Sequence, residues 1–259
     1  MITSSARSAV AIALITSTTL GFVFWRLRTH PEVRRTTHGI IIVDVSQSIS
    51  NEDAPVLGLA QGFLHQPKLA RGSSLSVMAT GDEQTRNEPR LISTYDVPFS
   101  RRAVEGKGTI LKKKREILRD LQTKLKTLER TDRSPIFLSV KRGIEHLRSR
   151  GCISDSACQL LVRTDAEELS ERAIRDSIAG GGRRKDLPSV VSNEGIRVTF
   201  CGLAEVNALR NLERSKSTHA RSAGHGDRLR EVWSSLFSAP DLVTFEPYCP
   251  TAPLAEEDR

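Results

Sequence analysis

Two periods organise the apolar positions of this chain. Short continuous runs, of the kind found in strands buried on both faces, occur at Ile40–Val43, Ser74–Thr80, Cys158–Asp165, Ile196–Leu203 and Leu242–Phe245. Leu91–Val97, bounded by Pro89 and Pro98, is a further strand candidate. Its hairpin with the preceding strand needs a connection long for its kind. Between these runs the spacing changes to three and four residues, the helical period. Asn51-Glu52-Asp53 can cap a helix running towards His65, with Leu57, Ala60, Gln61 and Leu64 on its face. The strongest pattern, Thr109–Arg130, repeats Ile110, Leu111, Leu118, Leu121, Leu125 and Leu128. Ser134-Pro135 opens a helix with Ile136, Phe137, Val140, Ile144 and Leu147 on one side, Ser at the cap and Pro at the first helical position. Leu169–Ile178 and Arg228–Phe237 read as two more helices, the second placing Leu229, Val232, Trp233 and Leu236 together.

Strands alternating with helices predict an α/β fold: a Rossmann-like, doubly wound, mostly parallel sheet with helices on both faces. The polar stretch Asn207–Asp227 fits neither period, and no internal repeat is present.

One apolar run precedes this pattern. Ala9–Trp25 carries no charge and is bracketed by Arg7 and Arg26. A spanning helix needs about 20 apolar residues and at least about 17. Trp25 sits where an interfacial aromatic belongs. The run ends in the bulky Phe22-Val23-Phe24-Trp25 rather than a small-x-small cleavage site, which predicts an uncleaved single-pass anchor over a signal peptide. Arg26, Arg28, Arg34 and Arg35 follow the span, so the positive-inside rule favours the cytoplasm for the large domain, while a Cys152–Cys158 disulfide would argue for the periplasmic or extracellular side.

Charge adds little beyond this. The 259-residue chain has a formal charge of +8. The Lys- and Arg-rich face of Thr109–Arg130 is interrupted by Glu116, Asp120 and Glu129 and interleaves no aromatic residue, which predicts a solvated face rather than a nucleic-acid surface. The basic loop Gly180–Lys185 matches no phosphate-binding glycine motif. The four cysteines have no zinc spacing. Cys152 and Cys158 flank a short segment and would form a local disulfide in an oxidising space. Four buried thiols in a reducing compartment are the equal alternative.

The chemistry concentrates after the first strand. Ile40–Val43 runs into Asp44-Val45-Ser46-Gln47-Ser48, placing one carboxylate and two hydroxyls at alternate positions. In open α/β sheets ligands bind at the carboxyl ends of strands, and these hard oxygens suit Mg²⁺, Ca²⁺ or Mn²⁺. Asp165 ends a second buried run, and Ser134 lies at a loop-to-helix junction between them. With this DxSxS motif, Ser134 and Asp165, the chain from Thr36 to Cys249 resembles a von Willebrand factor A-type (VWA) domain with a metal-ion-dependent adhesion site.

The resemblance implies a Rossmann-like sheet with an antiparallel edge strand. It also implies that Ser46 and Ser48 ligate a cation directly. Asp44 and Asp165 would act through water or from outside the ligand shell, and Ser134 would stand where Thr is commoner. Thr131 and Thr109 are alternatives to Ser134. Asp165 is followed by Ala166, where the family usually has Gly. Few protein charges on the metal would leave it open to an acidic side chain from a protein partner.

The expected organisation is an anchor over residues 1–26, a basic linker over 27–37, the VWA-like domain over 38–249 and an acidic tail over 250–259. The expected function is a membrane-anchored binding module that captures a protein partner through a divalent cation, without catalysis. Two alternatives are a metal-dependent hydrolase using Asp44, Asp165 and Glu167, and a structural anchor with a vestigial site.

Overall fold

The computed structural model describes residues 36–46, 53–66, 69–81, 88–98, 107–131, 135–152, 157–166, 171–180, 186–203 and 225–249. The chain divides between Arg34 and Arg35, and all described residues belong to the second unit. The predicted membrane span, Ser48, Ser134, Glu167 and the acidic tail lie outside them. Among the described residues no helix is long and apolar enough to cross a membrane.

The elements follow in the order β1 (His38–Val43), α1 (Ala54–Leu64), β2 (Ser74–Ala79), β3 (Arg90–Asp96), α2 (Lys107–Leu125), α3 (Ile136–Ser149), β4 (Cys158–Arg163), α4 (Arg172–Ile178), β5 (Ile196–Cys201), α5 (His225–Ser235) and β6 (Val243–Glu246). They build one six-stranded sheet in the order β3-β2-β1-β4-β5-β6. Five strands are parallel; β3 runs antiparallel to β2 at the edge, as the VWA resemblance implies. The predicted hairpin is therefore present despite its long connection. This is a Rossmann-like α/β fold.

Alternation along β1 divides the interior. Ile40 and Ile42 point to one face, where they meet Val140 and Ile144 of α3, with Ile174 of α4 and Trp233 of α5 in the same core. Ile41 and Val43 point to the other, against Val56, Leu59 and Phe63 of α1 and Leu121 and Leu125 of α2. Burying each such side chain contributes about 1.5–3 kcal/mol. That is why the apolar run of β1, Ile40–Val43, shows no polar alternation.

Several details of the helices differ from the sequence reading. The buried face of α1 is Val56, Leu59, Ala60, Phe63 and Leu64, so the stripe is rotated away from Leu57 and Gln61. The Asp53 side chain makes no cap hydrogen bond. Helix α2 stops at Leu125 rather than Arg130, where the Leu128 amide donates to the Leu125 carbonyl at 3.1 Å and the Thr127 hydroxyl to the Lys124 carbonyl at 2.8 Å. These turns release the chain to carry Thr131 to the end of β1. Helix α3 begins at Ile136, with Pro135 rather than Ser134 at the cap position.

All four cysteines are paired, Cys152 with Cys158 and Cys201 with Cys249. The local pair was one of two equal expectations; the second pair, 48 residues apart, has no signature in its spacing. It fastens the end of β5 to the chain just beyond β6.

Candidate metal centre

Strand order sets the site. From β1 the chain passes to β2 on one side, and later to β4 on the other. The β1/β4 boundary is thus the topological switch point, where open α/β sheets form a crevice beyond their carboxyl ends. Asp44 leaves β1 at that boundary, and Asp165 leaves β4 there. Val43 pairs with Arg163 and Ala79, so the next residues in register are Asp44, Thr164 and Thr80.

The two threonines hold the first motif from both sides. The Thr164 hydroxyl donates to Asp44 Oδ2 at 2.7 Å. The Ser46 amide donates to Asp44 Oδ1 at 2.9 Å, closing a turn inside the motif. Thr80 Oγ1 accepts the Val45 amide at 3.1 Å. The Thr131 amide donates to the Val45 carbonyl at 3.2 Å, and Thr131 and Ser46 form a parallel bridge. Asp44, Ser46, Thr80, Thr131, Thr164 and Asp165 are all buried. The turn is thereby fixed by three separate loops.

The positions named from sequence divide accordingly. The structure brings Asp44 and Ser46 together and sets Asp165 on the neighbouring strand end; Ser48 and Ser134 lie outside the described residues. Of the alternatives to Ser134, Thr131 is at the site. Thr109 is not: it lies in the first turn of α2, about 24 Å along the helix from Leu125 at 1.5 Å per residue. Thr80 and Thr164 were missed. Their signal was available, because each directly follows a strand that neighbours β1.

After Asp165 the backbone turns sharply. Ala166 has φ 59°, the only positive φ on a non-glycine residue among the described residues. A backbone in this region favours glycine, and alanine adopts it with strain. Its amide donates to Thr164 Oγ1 at 3.0 Å, and its carbonyl accepts the Trp233 indole N–H at 2.8 Å.

A small depression of about 50 Å³, open to solvent, adjoins the motif. Asp44, Ser46, Asp53, Arg130 and Arg163 supply its polar lining, above Val43, Val56 and Leu125. Arg163 is 4% exposed. The opening therefore offers carboxylate, hydroxyl and guanidinium groups together.

The donor set fits a hard cation. Among the described residues no three His, Cys, Asp or Glu side chains converge as a cage. The site would rest on hydroxyls, two carboxylates and water. Among the described residues each Asp44 oxygen accepts one hydrogen bond, which leaves lone pairs for metal-bound water. Ser46 supplies a hydroxyl beside it.

No known sequence family matches the chain, and no curated protein resembles it in sequence. Similar solved structures include proximal thread matrix protein 1 from mussel byssus (TM-score 0.38, 10% identity, 83% of this chain and 45% of that one). Manganese-loaded TRAP protein of Plasmodium vivax is another (0.38, 13%, 73% and 66%). The conserved hypothetical protein BatB of Bacteroides thetaiotaomicron is a third (0.35, 11%, 81% and 89%). The chain spans less than half of the mussel protein's length and about two thirds of the TRAP chain's. At such scores these likenesses carry no inference about what the chain binds; the fold rests on strand order and register.

Proposed function

We propose that this chain is a membrane-anchored, VWA-type binding module that captures a protein partner through a divalent cation. The observation that carries this reading is the hydrogen-bonded Asp44-Val45-Ser46 turn at the β1/β4 switch point, with Asp165 on the adjoining strand end. Ser46 and Ser48 would ligate Mg²⁺, Ca²⁺ or Mn²⁺, Ser134 or Thr131 would add a hydroxyl, and Asp44 and Asp165 would hold its water. The cation would supply an electrophilic position for a partner's carboxylate. No catalysis belongs to this reading.

The anchor is Ala9–Trp25. The positive-inside rule puts the domain in the cytoplasm, but two disulfides favour the oxidising side of the membrane. We therefore place the domain on that side.

Titration of the full chain with Mg²⁺, alongside Asp44→Ala, tests the cation. Wild type is expected to melt higher with metal, since a ligand at 100 times its Kd adds about 2.7 kcal/mol. The variant should not respond. Equal melting with and without metal in both proteins would discard the reading.

A further inference from the structure

An unbroken run of hydrogen bonds leads from the aromatic core to the DxS turn. Trp233 is fully buried on α5, with its ring 5.0 Å from that of Phe200 on β5. Phe200 in turn stacks on Phe245 of β6 at 5.2 Å. The Trp233 indole N–H donates to the Ala166 carbonyl at 2.8 Å, the Ala166 amide donates to Thr164 Oγ1 at 3.0 Å, and the Thr164 hydroxyl donates to Asp44 Oδ2 at 2.7 Å. The other oxygen of Asp44 accepts the Ser46 amide at 2.9 Å. Each donor meets one acceptor, so the direction of every bond is fixed. The Thr164 hydroxyl donates to Asp44 because a carboxylate only accepts, while its oxygen accepts the Ala166 amide.

We propose that Thr164 and Trp233 are positioning residues for the cation site. They set the Asp44 carboxylate and the Asp165–Ala166 turn before any metal arrives. The inference rests on the proposed cation reading but concerns residues that neither the DxSxS motif nor the VWA resemblance singles out. Trp233 is suited to the task because its ring is fully buried in the core beside Phe200, and a buried indole must find an acceptor. Choosing the Ala166 carbonyl couples the left-handed turn to α5, more than sixty residues later in the chain. Thr164 serves because a hydroxyl donates and accepts at once. A carboxylate fixed in this way holds metal-bound water without reorganising, and such outer-shell partners are worth about 10–100-fold in metal affinity.

The test uses the full chain in detergent and the variants Thr164→Val, Thr164→Ser and Trp233→Phe. The first measurement is amide hydrogen exchange without metal. Thr164→Val should speed exchange at Ser46 and Ala166, Thr164→Ser should restore protection, and Trp233→Phe should speed exchange at residues 165–166. The second is titration with Mn²⁺. Thr164→Val should bind about 10-fold more weakly or worse, with Thr164→Ser close to wild type. Unchanged exchange at Ser46 and Ala166 in Thr164→Val overturns the relay. Faster exchange with unchanged Mn²⁺ affinity overturns its role in the cation site. A wild-type chain that binds no Mn²⁺ or Mg²⁺ overturns the cation reading itself, and the exchange result then decides the relay alone.

Discussion

Ala166 condenses the local conflict at this site. Its φ of 59° costs an L-residue about 1–2 kcal/mol. Its methyl is fully buried, which returns about 0.8 kcal/mol. Glycine would shed the strain but lose that burial and gain unfolded-state freedom worth about 0.4–1 kcal/mol. Ala166→Gly is therefore expected to lie within about 1 kcal/mol of wild type, because these terms oppose one another. Ala166→Val should cost more than about 2 kcal/mol, since a β-branched residue tolerates the left-handed region poorly and the added methyls enter a fully buried site. Urea unfolding of the two variants measures both. A well-tolerated valine would show that the turn is not left-handed in solution.

Between elements, glycines decide how closely helices approach the sheet. A Cβ on Gly39 of β1 would stand 2.4 Å from the Phe63 ring of α1. One on Gly143 of α3 would stand 2.6 Å from Leu160 Cδ1 and 3.2 Å from Ile42 Cδ1. A buried ring cannot yield as a methyl end can. Gly39→Ala should accordingly destabilise by about 2–3 kcal/mol through overpacking. Gly143→Ala meets softer neighbours and gains about 1 kcal/mol of helix propensity, so its loss should be smaller. Paired denaturant melts would reveal the order, and a reversed order would contradict the close β1–α1 contact. On the outside of α2 the forces are weaker. Tyr95 donates to Asp120 at 2.8 Å and Lys124 pairs with the same carboxylate at 2.7 Å, which holds that carboxyl below its ordinary range. Both ends of the ion pair remain well exposed, so it adds at most about 1 kcal/mol.

Across the whole molecule, the two ends of the sheet differ in chemistry. The carboxyl end carries the oxygen-rich site. At the amino end, His38 Nδ1 bonds Ser74 Oγ at 2.8 Å, and His146 Nε2 bonds Ser76 Oγ at 2.9 Å, with Thr94 3.0 Å from the same Ser76 hydroxyl. Burial lowers both imidazoles from the usual 6.5, and Arg150 lowers them further. The folded chain thus resists protons that the unfolded chain accepts. This stability is complete above pH 6.5 and is lost as pH falls through the lower folded values. Thermal melts should begin to drop as pH falls below about 6.5. His146→Gln, which retains a partner for Ser76, should flatten that slope; an unchanged slope would remove His146 from the cause. The disulfides act on another scale. By loop closure the Cys201–Cys249 bridge contributes about 4 kcal/mol and the short Cys152–Cys158 bridge about 2 kcal/mol.

The sequence by itself determined the α/β alternation, because strands buried on both faces and amphipathic helices have different periods, visible locally. It also marked Asp44, Ser46 and Asp165, since polar residues ending apolar strands are local signals. It could not give the rotation of α1, which depended on Gly39 making room for Phe63. Nor could it pair Cys201 with Cys249, since spacing does not encode which strand ends meet. Only the tertiary structure brought Thr80, Thr131 and Thr164 around one turn and set Trp233 against Ala166. Those bonds join residues far apart in sequence, and their partners exist only once strand order and register are fixed.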